Sequence, residues 1–252
     1  MTKHYFALIE LQTFSPISIS APLTYLSSPV YPLPPPTTLI GALAYPILRE
    51  SLNELEQGCS TAKKLLEHVT YAVAGAGGYV MSRSIERMYN TIYQKPNRWA
   101  IDKKHESHPL RWSILVAGYV QYLNNSLYVL YISKDKNILR YVYGISRVGK
   151  KEGVVSVEKV LIDEVSKYIV RDPPSAIETI FYTPSYIAEC QFARLYSMPM
   201  LHRNNFCRGL RPQLQDFYVP LELGRMVCRV LGDAAILNIE DLNIIIPESA
   251  VR

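Results

Sequence analysis

Arg147, Lys150 and Lys151 stand in the run Gly144-Ile145-Ser146-Arg147-Val148-Gly149-Lys150-Lys151-Glu152-Gly153, which joins three bases to three glycines. Glycine lets backbone amides turn toward a ligand, and bases so placed neutralise phosphate. The GxxxxGK[ST] spacing of a Walker loop is absent, which argues against nucleoside triphosphate binding. Taken alone, the run also reads as a solvated turn that happens to carry lysines. A second candidate is Pro34-Pro35-Pro36-Thr37-Thr38-Leu39-Ile40-Gly41-Ala42-Leu43-Ala44-Tyr45. The prolines hold the approach extended, Thr37 or Thr38 is placed to cap a helix, and Gly41, Ala42 and Ala44 let another backbone come close. Such a helix start suits an anion, although Pro-then-cap is equally a way of entering a buried helix.

Charge marks three segments, one of which overlaps the first run. Lysine and arginine number 27 against 22 acids, for a formal charge of +5, and the excess is clustered. Residues 80 to 112 hold seven bases against three acids, and Lys134, Lys136, Arg140, Arg147, Lys150 and Lys151 face only Asp135 before Glu152. From Arg194 to Arg211 there are four arginines (Arg194, Arg203, Arg208, Arg211) and no acid. Mild basicity alone does not prove a nucleic-acid partner. Nineteen tyrosines supply core bulk and flat faces on which bases could stack.

His4, His68 and His202 are scattered without a carboxylate pattern, so no metal site and no metallonuclease is expected. The four cysteines (Cys59, Cys190, Cys207, Cys228) form no CxxC pair and read as buried thiols, which fits a reducing cytoplasm. With no signal-like apolar region and no apolar run of about 18 residues, neither secretion nor membrane spanning is expected.

The elements that must carry these residues are of mixed type. Tyr5 to Gln12 reads as a strand, followed by a Ser/Pro segment from Phe14 to Pro36 that is too long to be idle. A helix from about Thr37 to Glu56, bent near Pro46, leads to a helical piece over Thr61 to His68 and a strand over Val69 to Ala74. After Gly75 to Gly78 a basic arm protrudes over about residues 79 to 111. Trp112 to Tyr122 and Leu127 to Ser133 read as a hairpin closed by Asn124-Asn125-Ser126. A helix over Asp135 to Tyr143 and a strand over Val154 to Ile162 complete the order β-α-β-arm-β-β-α-β. Beyond Asp172-Pro173-Pro174 short apolar segments indicate a β-rich part. The expectation is an α+β fold: a ferredoxin-like unit over residues 1 to 170 and a β-rich part over 171 to 252.

The proline entry, the turn Arg-Val-Gly-Lys-Lys-Glu-Gly-Val-Val-Ser-Val and Phe181-Tyr182-Thr183-Pro184 together resemble the Cas-five family of CRISPR-associated RAMP proteins, closest to archaeal type I-A members. The resemblance implies a ferredoxin-like, RRM-type domain with a protruding thumb, at one end of a Cascade surveillance complex, holding the repeat-derived 5′ handle of the crRNA. It assigns Arg147, Gly149, Lys150 and Lys151 to the handle, with Thr37 and Thr38 nearby. The thumb falls on the basic arm, where Arg83, Arg87, Lys95, Arg98 and Trp99 would grip splayed nucleotides. Implied partners are a backbone subunit, a large subunit and, only through the complex, target DNA; no cofactor is implied. Some members of the family cut repeat RNA without metal, using tyrosine, lysine and histidine. Tyr45, Lys104 and His105 are the matching types here, but the stretch Lys103 to Pro109 reads as an exposed loop, so the expectation is a non-catalytic subunit.

Overall fold

The computed structural model describes residues 3–19, 30–50, 58–89, 112–150 and 152–252. Its centre is an antiparallel sheet of four strands in the order β2-β5-β1-β6: β1 is Tyr5–Thr13, β2 Val69–Gly75, β5 Ser126–Ser133 and β6 Val155–Glu164. Register pairs Leu8 with Leu130 on one side and with Leu161 on the other, so β1 is central. β1 and β2 run the same way with β5 inserted between them, and helix α1 (Pro36–Glu50) links the two in sequence. β5 and β6 are linked by α2 (Lys136–Leu139), capped by the Asp135 carboxylate accepting from the Asn137 amide, and a 3-10 turn over Arg140–Gly144. The expected second helix is thus one short α turn tightened into 3-10.

Helix α1 buries Leu39, Ile40 and Leu43, and the Tyr131 hydroxyl of β5 donates to the Leu39 carbonyl at 2.8 Å. The helix begins at Pro36, one residue earlier than the capping threonines require. Proline lacks an N–H and already holds a helical φ, so it fits the first helical position and draws Thr37 and Thr38 into the first turn instead of capping it. Residues 30 to 36 are all buried. A buried proline-rich segment has few donors of its own, but its carbonyls still need partners. The Tyr122 hydroxyl donates to the Pro32 carbonyl at 3.1 Å, and Tyr31, within the segment, donates its own hydroxyl to the Ser197 carbonyl at 2.8 Å. Burial pushes the Tyr31 hydroxyl up to about 12, which keeps it a donor at neutral pH.

Strands β3 (Tyr79–Tyr89) and β4 (Trp112–Tyr122) pair with each other, Tyr79 opposite Tyr122, as a two-stranded ribbon between β2 and β5 in the sequence. The expected hairpin of β4 with β5 is therefore corrected. Asn124 and Asn125, at φ 56° and 55°, turn the chain, but β5 goes to the centre of the main sheet while β4 joins the arm. Burial explains the split, since Leu127 and Val129 to Ser133 are all buried and fit only a strand covered on both faces.

The C-terminal part is β-rich. Strands β7 (Ile177–Thr179), β12 (Met226–Val230) and β9 (Ala188–Gln191) form one small sheet. A second holds β10 (Ala193–Pro199), β11 (Leu214–Pro220) and β8 (Thr183–Pro184); β13 (Ala234–Ile239) and β14 (Leu242–Pro247) form a ribbon. Leu237, Ile244 and Ile246 join the same apolar core as Phe6, Ile9 and Leu43, and Phe6 packs edge-on against Tyr168 with ring centres 5.0 Å apart.

All four cysteines are paired, Cys59 with Cys207 and Cys190 with Cys228, which corrects the reading of them as thiols. Sequence separations of 148 and 38 residues conceal both pairs. Antiparallel pairing puts Cys190 opposite Cys228, and an isolated bridge puts Cys59 opposite Cys207, with Cα atoms 4.0 Å and 3.9 Å apart. The inference to a reducing compartment loses its premise. Among the described residues no helix is long and apolar enough to cross a membrane, and no group of histidine, cysteine or acidic side chains could hold a metal.

The tie between Tyr122 and the proline segment is open to test. Tyr122→Phe leaves the buried Pro32 carbonyl without its donor, and thermal or denaturant unfolding should show a loss of about 1–3 kcal/mol.

Candidate nucleic-acid interface

The glycine-rich run folds as a tight loop. The Val148 amide donates to the Gly153 carbonyl at 2.9 Å, Gly153 to Lys150 at 3.0 Å, and Arg147 bridges to Val154 in antiparallel fashion. The loop is seated against the Ser/Pro segment, because the Lys150 amide donates to the Ser18 carbonyl at 3.2 Å. Gly149 has φ +79°, and a Cβ there would lie 2.8 Å from the Ser18 carbonyl oxygen. No other residue type fits this approach. Gly144 packs on α1 in the same manner, since a Cβ would come 2.6 Å from the Pro46 ring.

These seatings bring the loop to the exposed flank of α1. Arg147, Gly149 and Lys150 line a cavity of about 500 Å³ together with Ser18, Thr38, Gly41 and Tyr45. The two runs singled out in the sequence, 100 residues apart, thus form one cleft. The Arg147 guanidinium donates to the Tyr45 hydroxyl and stacks over the Tyr45 ring at 4.5 Å, and the Arg49 guanidinium lies 5.8 Å from the same ring. Stacking of this kind orients the cation without neutralising it. Lys150 is exposed at the rim.

Ser18 adds a group that sequence reasoning missed. It is 3% exposed, and its hydroxyl has no hydrogen-bond partner among the described residues although it lines the cleft. A buried hydroxyl is normally satisfied, so an orphan in a residue of the cavity wall marks a position to test. The only signal for it in the sequence is the length of the segment that carries it. Gly41 is exposed in the helix interior, and a Cβ there would meet nothing within 4 Å. The floor of the cleft is therefore open at that point.

Thr38 lines this cleft, and Thr37 lines a second one beside it. The amides of Thr38 and Leu39 are both taken by the Pro35 carbonyl, at 2.9 and 3.2 Å. What Thr38 offers a ligand is therefore its hydroxyl. Arg83 and Arg87 lie on β3 of the arm, where the description extends to the strand alone. Lys95, Arg98, Trp99, Lys104, His105 and Lys151 lie outside the described residues. In chemical terms the cleft combines a guanidinium, an ammonium, an aromatic ring and the side chains of Thr38 and Ser18, with the Arg49 guanidinium near the same ring. That set has the chemistry to suit a phosphate-bearing, hydroxyl-rich ligand.

The fold is that of CRISPR proteins. It superposes on the crystal structure of a CRISPR protein from Archaeoglobus fulgidus with a TM-score of 0.58 at 16% identity, covering 96% of this chain and 99% of that one. A chain of a CRISPR RNA-guided surveillance complex matches with a TM-score of 0.50 at 11% identity, over 86% and 90% of the two chains. In sequence the chain is similar to Cas5 proteins of Saccharolobus solfataricus. It is 29% identical over 155 residues to the CRISPR system aCascade subunit Cas5 1, and 30% identical over 141 residues to the CRISPR-associated protein Cas5 3. The matched stretches cover 60% and 54% of this chain, and 62% and 55% of those relatives' own lengths. No protein-family model matches the chain.

Two substitutions separate shape from stability. Gly41→Ala should raise stability by about 0.5–1 kcal/mol, as alanine does in a helix interior, whereas Gly149→Ala should lower it because of its backbone clash. Melting temperatures of the two variants against the parent check both signs.

Proposed function

We propose that this chain is a Cas5-type subunit of a type I-A, Cascade-like CRISPR surveillance complex, and that the cleft beside α1 holds the 5′ handle of the crRNA without cutting it. The observation that carries the reading is the convergence of Arg147, Lys150, Thr38, Tyr45 and the orphan Ser18 hydroxyl in one cavity. The likeness to Cas5 proteins supplies the kind of complex. Arg147 and Lys150 engage handle phosphates; Ser18, as donor or acceptor, suits a 2′-hydroxyl, the group that marks RNA.

The strand order β2-β5-β1-β6, with β5 between the parallel β1 and β2, supports a ferredoxin-like unit within residues 1 to 170. The β3–β4 ribbon is the thumb in this reading, with Arg83 and Arg87 on its first strand, and it reaches toward a backbone subunit. A large subunit sits beside the handle, and target DNA meets the chain only through the assembled complex, where base pairing to the guide reads sequence. Tyr45 serves by orienting Arg147 rather than by moving a proton.

The test is binding of RNA carrying the 5′ handle against RNA with the handle scrambled, with the same samples run on a denaturing gel. The handle should bind more tightly and stay intact. Arg147→Ala should weaken the handle complex more than that of a random strand of equal length, and Ser18→Ala should do so without loss of melting temperature. Equal losses on both RNAs would refute specific contact; cleavage at one position would refute a purely binding role.

A further inference from the structure

The first cleft does not end at α1. Thr38 and Gly41 also line a second cavity of about 480 Å³, whose far wall is formed by Gly58, Cys59 and Ser60 on one strand of chain and by Asn205, Phe206, Cys207 and Arg208 on the other. The volume falls within the range of about 300–1,000 Å³ that a nucleotide-sized group occupies. This wall is built rather than incidental. The Ser60 amide donates to the Phe206 carbonyl at 2.6 Å, the Arg208 amide to the Gly58 carbonyl at 2.8 Å, and the Cys59–Cys207 disulfide lies between these two bonds. Asn205 is used up in holding the loop, its side-chain amide donating to the Met200 and Gln213 carbonyls and its oxygen accepting from the Gln213 amide.

What remains for a ligand is Arg208. It is exposed, forms no ion pair among the described residues, and belongs to the acid-free run from Arg194 to Arg211 that the first cleft leaves unused. The passage between the basins crosses Gly41, where the helix presents no side chain. A strand emerging from the first basin has open space on that side and a free guanidinium beyond it.

We infer that the second basin receives the adjoining nucleotides of the same RNA strand, with Arg208 contacting a phosphate and the Cys59–Cys207 disulfide fixing the wall that presents it. This rests on the first cleft being an RNA site. A single-stranded nucleic acid fits better than a small metabolite because the two basins are open and adjoin at Thr38 and Gly41, with Arg147 and Lys150 on the first and Arg208 on the second.

The experiment measures binding of the full protein to handle RNAs shortened stepwise from either end, for the parent, Arg147→Ala, Arg208→Glu and Cys59→Ser/Cys207→Ser. Arg208→Glu should weaken the full handle by about tenfold or more, and Arg208→Ala should lower the salt-dependence slope by about 0.7. Both should leave unchanged the shortest RNA still sensitive to Arg147→Ala. The cysteine pair variant should show the same length-selective loss. If Arg147→Ala weakens binding while Arg208→Glu changes neither affinity nor slope, the second basin is not part of the path. If the parent fails to bind handle RNA even within its reconstituted complex, the first cleft is misread and this inference falls with it.

Discussion

A buried segment made largely of proline carries acceptors into the core without the donors that would normally accompany them. Residues 30 to 36 are in that position; the Tyr122 hydroxyl of β4 supplies the Pro32 carbonyl with a donor, and Tyr31 of the segment itself ties it outward to the Ser197 carbonyl. Everything on the exposed side depends on this arrangement. The segment delivers Pro36 at the angle that starts α1, and Tyr131 fixes the helix from below through the Leu39 carbonyl. With the helix held at two points, its outer flank becomes a fixed surface against which the glycine loop can be placed. The tyrosine-rich composition is thus a structural need before it is a recognition device.

The electrostatics of the cleft follow from that placement. Arg147 pairs with no acid among the described residues and is not left to wander; it lies on the Tyr45 face and donates to its hydroxyl. A guanidinium held by a neutral ring keeps its full charge for an anion and loses little side-chain entropy when one arrives. A carboxylate in the place of Tyr45 would hold Arg147 as firmly but would cancel its charge.

Much of this was legible before the coordinates. The first strand, α1, the turn of helix at Thr61, β2, β6, β13 and β14 all follow from periodicity and breakers, and both halves of the first cleft carry composition signals of their own. What could not be read was long-range pairing. The Asn124-Asn125 turn looks the same whether its flanking strands pair or part, and only the burial of β5 on both faces decides between them. Cysteine pairs 148 and 38 residues apart leave no local trace. Ser18 was invisible for a different reason: an unpaired hydroxyl is a property of its surroundings, not of its neighbours in sequence. Arg208 was noticed as part of a basic run, but the fold alone ties it to the helix flank.

The Cys59–Cys207 link also bears on the order in which the molecule can be finished. The segment at Ser18 and Ile19, the helix and the glycine loop that line the first cleft all precede Cys207 in the chain. The wall beyond Gly41 waits for Cys207, late in synthesis. The second wall is therefore complete only once the chain has been made past Cys207 and the pair has been oxidised.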